Sequence, residues 1–323
     1  MNYRKAFKLL IGIVLSVLLM YLAFTKVEIS VVIESLKQTK LEYVLLGIGS
    51  FFLSLSVRSV LWKSLLASNH PVNLYPLFRS IVIGQMGNNL LPFRGGEVLR
   101  IYSINKTSNV SVPVALSSVA VERVLDLVSL VLFTGVLSLF IKIPDLLRAS
   151  IAFIILCCFA VLSIMVYLAN TSVLHKYVDW IMKFCPSKYR DSLEVVINNL
   201  IQGLSSLNSI SLIFKIMTLS LICWGLVYFS VFFALQSYNL EVDWIMPLSV
   251  LVLLNIGMMV PTLPASLGVY QFFTVIALSY FSIDKNIALG LSFVIQAMDF
   301  IPSVLLGIIF LYRENTTNTI VQV

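Results

Sequence analysis

Long apolar runs separated by short polar segments dominate this chain. A helix that crosses a bilayer needs about 20 apolar residues, and several runs come close to or exceed that length. The pattern therefore predicts an all-α polytopic membrane protein with about six full transmembrane helices. The six runs are residues 7–24, 43–62, 124–141, 151–169, 212–235 and 287–312.

Two further apolar segments are broken by helix-breaking residues. Residues 74–102 contain Pro92 among glycines and asparagines, and residues 246–280 contain Pro261 and Pro264. Irregular backbone at membrane depth is tolerated where it is buried in protein or lines a wet cavity. We therefore predict two re-entrant hairpins, or eight spans in total if both segments cross. Because each half of the chain holds one such element, the pattern also suggests an inverted repeat with a site near the midplane.

Composition supports a membrane location for the whole chain. Hydrophobic residues make up 59% and charged residues 11% of the 323 positions, and the mean hydropathy is +0.98. A soluble domain carries roughly 25% charged residues, so soluble enzymes, nucleic-acid binders and secreted disulfide scaffolds are excluded. The two histidines stand apart and the four cysteines form no CxxC pair, so we expect no metal and no cofactor. We predict a single integral membrane domain over residues 1–323.

Basic residues indicate the topology. Arg4, Lys5 and Lys8 precede the first apolar run, which places the N-terminus in the cytoplasm by the positive-inside rule. An even number of spans then places the C-terminus there too. Residues 170–210 have apolar positions at steps of three and four with an excess of lysine and arginine, which predicts a cytoplasmic amphipathic helical segment. Arg58, near the end of the second run, is interpreted as reaching toward the membrane interface.

The first broken segment carries a candidate anion site. Freed backbone amides together with Arg94 and Arg100 would suit an anion such as a lipid phosphate. Glu97 lies three residues before Arg100 and would hold its guanidinium in place. The alternative is a cytoplasmic turn whose arginines only orient the hairpin. The candidate residues of this segment are Asn88, Asn89, Pro92, Arg94, Glu97 and Arg100.

A second charged cluster stands at the entrance of the run that follows. Glu122 and Asp126 are four residues apart, so they share a helix face, and Arg123 is adjacent to that face. Three charges so close to hydrocarbon are costly unless they are paired. The arginines and Glu97 of the first broken segment are the natural partners. The alternatives are a structural ion-pair network and a ligand-binding cluster.

The last apolar run carries a polar stripe. Ser292, Gln296, Asp299 and Ser303 follow one another at steps of four, three and four, so they lie on one helix face. An acid near the middle of a membrane helix is a functional-site hypothesis by default, and a hydrogen-bonded contact between helices is the alternative. The second broken segment, residues 246–280, has two interpretations: its break contributes further site residues, or it is only a loop between two helices. The candidates from the break are Pro261, Pro264, Gly268 and Gln271.

Taken together, the order of these motifs resembles the lysylphosphatidylglycerol synthase transmembrane-region family. These are flippase-like integral membrane proteins, related to the membrane half of the multiple peptide resistance factor. The family often has Glu at the position of Gln271, and Arg or His near that of Gln296. The joint loss of both charges fits a compensated pair, and it also fits a different head group.

The resemblance implies a lipid translocator in the plasma membrane of a prokaryote. Its substrate would be a phosphate-bearing lipid of the aminoacyl-phosphatidylglycerol or polyprenyl-linked sugar type, held in a charged cavity within the membrane. The aminoacyl-transferase domain of the synthase has no counterpart in these residues, so we expect a non-enzymatic protein. The alternatives are a membrane-embedded head-group transferase, and an accessory subunit that recruits a lipid-modifying enzyme. We expect a lipid as the partner, with a lipid-modifying enzyme or a second copy as further candidates, and no nucleic acid.

Overall fold

The computed structural model describes residues 3–25, 27–66, 72–91, 95–140, 210–259 and 264–321. Over these ranges the chain is helical and contains no strand, as the apolar pattern predicts. A single 3₁₀ turn, Pro264–Ser266, precedes α9. The α-helices are α1 Tyr3–Phe24, α2 Ile29–Lys37, α3 Leu41–Leu66, α4 Leu74–Leu90, α5 Gly96–Ser108, α6 Val112–Phe140, α7 Ile210–Gln236, α8 Ile245–Gly257, α9 Val269–Ser279 and α10 Lys285–Val321.

Four of the described helices are long and apolar enough to cross a membrane. They are α3, α6, α7 and the Lys285–Glu314 part of α10, and they confirm four of the six predicted spans. The first predicted span corresponds to α1, which forms a pair with α2 bent by 84°. Counting that pair as one span gives five. The predicted span at 151–169, and all but the last residue of the amphipathic segment 170–210, lie outside the described residues.

Two details differ from the predicted elements. The polar connection over residues 25–40 contains a helix, α2, whose Val32 is buried with Ala23 of α1 and Leu289 of α10. The apolar piece at 112–120 and the span that begins at 124 are one continuous helix, α6. The charged residues between them do not end the helix, because their side chains are paired with other charges, as described below.

Both broken segments consist of helices too short to span. Helices α4 and α5 have 17 and 13 residues, and α8 and α9 have 13 and 11. Gly96 begins α5, and a Cβ atom there would collide with the backbone oxygen of Gly84 and with Asn88. Glycine at this position therefore lets α5 approach the backbone of α4 directly. The predicted breaks are confirmed.

The chain divides into two compact units. The first contains Met1–Leu55, Ile81–Leu99 and Trp224–Val323, and the second contains Ser56–Ser80 and Arg100–Cys223. The core of the second unit joins α3, α6 and α7 through Leu61, Leu65, Val121, Leu125 and Ile216. The core of the first unit includes residues from α7, α8, α9 and α10. Among its fully buried members are Leu235, Val250, Ala277, Leu278 and Leu291.

Candidate functional site

A buried carboxylate in the second unit binds three arginines. Glu122 of α6 is 1% exposed. Its Oε1 atom accepts hydrogen bonds from Arg58 Nη1 at 2.8 Å, Arg100 Nη1 at 2.9 Å and Arg123 Nη2 at 3.2 Å. One carboxylate oxygen therefore brings together guanidinium groups from α3, α5 and α6.

A second carboxylate lies one helical turn further along α6. Asp126 Oδ2 accepts from Arg58 Nη1 at 3.0 Å and lies 2.9 Å from Arg123 Nη1, while Oδ1 accepts from Arg58 Nη2 at 3.2 Å. The spacing of four residues does place both carboxylates on one face, as predicted. We call Arg58, Arg100, Glu122, Arg123 and Asp126 the arginine cluster. Within the described part of the chain it joins three guanidinium groups to two carboxylates.

Arg100 is held on both sides of its guanidinium. Its Nη2 atom donates to Glu122 Oε2 at 2.7 Å, which completes a bidentate pair, and its Cζ atom lies 3.8 Å from the ring centroid of Trp62. The indole nitrogen of Trp62 donates to Ser118 Oγ at 2.8 Å. A stacked and bidentate arginine has little freedom to move. Arg100 and Glu122 therefore form the rigid inner part of the cluster.

Exposure rises from one side of the arginine cluster to the other. The side chain of Arg100 is 3% exposed, those of Asp126 and Arg58 are 13% and 16% exposed, and that of Arg123 is 46% exposed. A ligand can therefore reach the cluster at Arg123, and Arg58 and Asp126 lie next to it.

One sequence interpretation of this region changes. Arg58, interpreted as an interface residue, instead bonds to both carboxylates of the cluster. Arg100, one of the partners predicted for the charges at the start of the following run, does pair with Glu122. The contact of Arg58 could not be predicted from spacing, because Arg58 lies 64 positions from Glu122. Pro92 and Arg94 lie outside the described residues.

In the first unit, the predicted stripe on α10 joins two other helices. Asp299 Oδ1 accepts from Gln85 Nε2 of α4 at 3.0 Å, and Oδ2 accepts from the Tyr270 hydroxyl of α9 at 3.1 Å. One turn along α10, Ser303 Oγ accepts from Asn89 Nδ2 at 2.9 Å. The stripe therefore forms a hydrogen-bonded contact between helices. Neither Gln85 nor Tyr270 is among the predicted site residues, although both are polar positions within apolar runs.

Two glutamines close the turn at the second break. Gln271 Nε2 donates to Gln296 Oε1 at 2.9 Å, and Gln271 Oε1 accepts from the backbone N–H of Gly268 at 2.9 Å. Gln296 Nε2 then donates to the Ala265 carbonyl at 2.7 Å. This turn is left-handed at Ala265, where φ is 62°, and at Gly268, where φ is 86°. Positions 271 and 296, interpreted from the sequence either as a compensated pair or as a sign of a different head group, are therefore in direct contact.

The other predicted residues have local roles. Ser292 donates to the carbonyl of Leu289, within its own helix. Asn88 Oδ1 accepts from the N–H of Gly96 at 3.0 Å, so it satisfies the start of α5. Glu97 lies in the first turn of α5, and Pro264 begins the 3₁₀ turn. Pro261 lies outside the described residues. Among the residues described, no group of His, Cys, Asp and Glu could hold a metal ion.

Comparison with known proteins gives the family. The model of the lysylphosphatidylglycerol synthase transmembrane region matches residues 9–307. A UPF0104 membrane protein of Methanocaldococcus jannaschii is 27% identical over 231 residues, which are 70% of this chain and 92% of the relative. UPF0104 membrane proteins of Pyrococcus horikoshii and Methanothermobacter thermautotrophicus are 23% and 21% identical, over 95% and 93% of this chain and 97% and 92% of theirs. With its apolar helices, this chain is therefore a multi-pass integral membrane protein that belongs to the lysylphosphatidylglycerol synthase transmembrane-region family.

Proposed function

We propose that this protein is a flippase-like lipid translocator that binds the phosphate of a membrane lipid head group. The observation that carries the proposal is the arginine cluster, in which three guanidinium groups meet on α6 and one of them, Arg123, is 46% exposed. Guanidinium groups match phosphate oxygens in a bidentate geometry. A cluster of this kind, built on the spanning helices α3 and α6 and the short helix α5, can lower the cost of moving an anionic head group through hydrocarbon.

The family supports a lipid substrate. The family takes its name from the lysylphosphatidylglycerol synthase transmembrane region, which favours aminoacyl-phosphatidylglycerol or a related lipid such as a polyprenyl-linked sugar. We further propose a prokaryotic plasma membrane with both termini in the cytoplasm.

A liposome assay tests the proposal. Purified protein is reconstituted with a fluorescent phosphatidylglycerol, and the lipid that has reached the other leaflet is measured by adding a quencher outside. We expect Arg123→Gln to slow translocation. Lys215→Gln, which removes one positive charge from an exposed position on α7, is the matched control and should translocate like the wild type. A wild-type protein that moves lipid no faster than empty liposomes would contradict the proposal.

The alternative, a head-group transferase, predicts a different product. Lipids from cells with and without the protein are compared by head-group analysis. A new lipid species would favour the transferase. An unchanged lipid composition with a changed distribution between leaflets supports the translocator.

A further inference from the structure

The two carboxylates of the arginine cluster differ in how firmly they are held. Glu122 is 1% exposed, accepts from all three arginines, and holds Arg100 in a bidentate pair. Asp126 is 13% exposed; it forms a bidentate pair with Arg58 and contacts the half-exposed Arg123, so it has two arginine partners where Glu122 has three. The penalty for separating an ion pair rises with the burial of its charges and the number of partners left behind. Asp126 is therefore the carboxylate of the cluster that costs less to displace.

We propose that Asp126 occupies the position of an anionic head group and is replaced there by the lipid phosphate. This inference rests on the proposed function. In the structure Asp126 neutralises Arg58 and Arg123, because uncompensated charges among apolar helices are costly. When lipid arrives, its phosphate oxygens take over the donors of these two arginines and the Asp126 carboxylate turns toward the exposed side of the cluster. Glu122 and Arg100 keep their contacts and hold the cluster together.

Charge balance identifies the class of head group. The Asp126 carboxylate carries one negative charge, so a ligand with one negative charge replaces it at Arg58 and Arg123 without changing the charge around them. A phosphodiester, as in phosphatidylglycerol, carries one negative charge. A phosphomonoester carries close to two at neutral pH. The site therefore favours a phosphodiester lipid over phosphatidic acid.

The geometry also gives Asp126 an unusual mutational signature. Removing a residue that binds the ligand lowers the affinity of the protein for that ligand. Removing a residue that competes with the ligand raises it. Asp126→Asn removes the competing charge while it keeps the size of the side chain. We expect it to bind anionic lipid more tightly than the wild type by about fivefold, the effect of one partly exposed ion pair. Arg123→Gln should bind it more weakly.

The experiment measures lipid binding to the purified full-length protein in detergent. Fluorescent phosphatidylglycerol is titrated, with phosphatidic acid, phosphatidylcholine and inorganic phosphate as separate competitors. Asp126→Ser is tested beside Asp126→Asn, so that a folding defect in one variant leaves the other to decide. Glu42→Gln, at an exposed position of α3, adds the same net charge elsewhere and should leave the Kd unchanged. Asp126→Glu keeps the competing charge and should not gain affinity.

The outcomes separate the two proposals. Tighter binding by Asp126→Asn or Asp126→Ser, with Glu42→Gln unchanged, supports the inference. A second result is that the wild type prefers phosphatidylglycerol and Arg123→Gln binds it more weakly, but neither Asp126→Asn nor Asp126→Ser binds it more tightly. The inference is then wrong and the proposed function stands. If the wild type binds phosphatidylglycerol no better than phosphatidylcholine, both are wrong. Competition by inorganic phosphate as strong as that by the lipid would assign the site to free phosphate, and preference for phosphatidic acid would overturn the charge argument.

Discussion

Gln271 and Gln296 form a direct hydrogen bond, 2.9 Å from Nε2 to Oε1, between α9 and α10. Gln271 is fully buried and Gln296 is 8% exposed. Their remaining amide atoms hold the N–H of Gly268 and the carbonyl of Ala265. Two neutral side chains therefore fix the left-handed turn that begins α9.

Gln271→Leu should destabilise the protein by about 2 kcal/mol, because it leaves the N–H of Gly268 and the side-chain oxygen of Gln296 without their partners in the interior. Thermal unfolding of the purified variant in detergent measures this loss. Ser279→Ala, at an exposed position at the end of α9, is the control. Wild-type stability in Gln271→Leu would contradict a structural role for the pair.

The same contact predicts that a charged pair can replace the neutral one. Gln271→Glu and Gln296→Arg each bury one charge and should each destabilise the protein, whereas the double variant should recover much of the loss. A double-mutant cycle on thermal unfolding measures the coupling. Additive effects of the two substitutions would show that the side chains do not interact in the folded protein.

Glu122→Gln should be among the most destabilising substitutions in the chain. It removes the charge that compensates three arginines, and breaking a buried pair costs about 3–5 kcal/mol. We expect low yield of folded protein and an earlier unfolding transition. Glu42→Gln, which removes a carboxylate at an exposed position, should unfold like the wild type. Equal unfolding temperatures for the two variants would contradict the role given to Glu122.

Gly96→Ala should prevent α5 from packing on α4, because the added methyl group would collide with the backbone oxygen of Gly84. Backbone atoms cannot move aside as a flexible side chain can. Gly49→Ala is the matched control, since a Cβ atom at Gly49 of α3 meets nothing within 4 Å. Helix propensity favours alanine over glycine there by up to about 1 kcal/mol. Size-exclusion chromatography and thermal unfolding compare the two; a monodisperse, stable Gly96→Ala would contradict the close approach.

Asp299→Asn tests whether translocation is coupled to protons. The carboxylate accepts from Gln85 and Tyr270, and an asparagine cannot change its charge with pH. If protonation of Asp299 drives the transport cycle, the variant should lose the response of lipid movement to an imposed pH gradient. Ser303→Ala, one turn away on the same helix, is the control and should keep that response. If lipid movement by Asp299→Asn responds to the pH gradient as it does in the wild type, protonation of Asp299 does not couple protons to translocation.

Several features follow from local sequence alone. The lengths of the apolar runs predict the long helices, and prolines and glycines mark both breaks, because backbone conformation depends on neighbouring residues. The spacing of Glu122 and Asp126 gives their common face, and the spacing of Gln296, Asp299 and Ser303 gives the stripe. Residues within one helix turn have a fixed geometry, so these relations need no tertiary information.

The partners of these residues could not be predicted in the same way. Arg58 is 64 residues from Glu122, and Gln85 is 214 residues from Asp299. An arginine near the end of an apolar helix can reach toward the interface or enter an ion-pair network, and its own sequence context is the same in both cases. The continuity of α6 through Glu122 and Arg123 was equally hard to predict, because the arginines that pair with Glu122 include two from other helices.

Local sequence accounts for the helical membrane architecture with its two broken elements, and for the sets of polar residues that share a helix face. Hydrophobicity and helix periodicity act locally, so they can be read from neighbouring positions. The contacts of Glu122 with three arginines, and the place of Asp126 toward the exposed side of the cluster, depend on how the helices pack. Burial and ion pairing depend on which helices pack together, and that packing sets the cost of each charge.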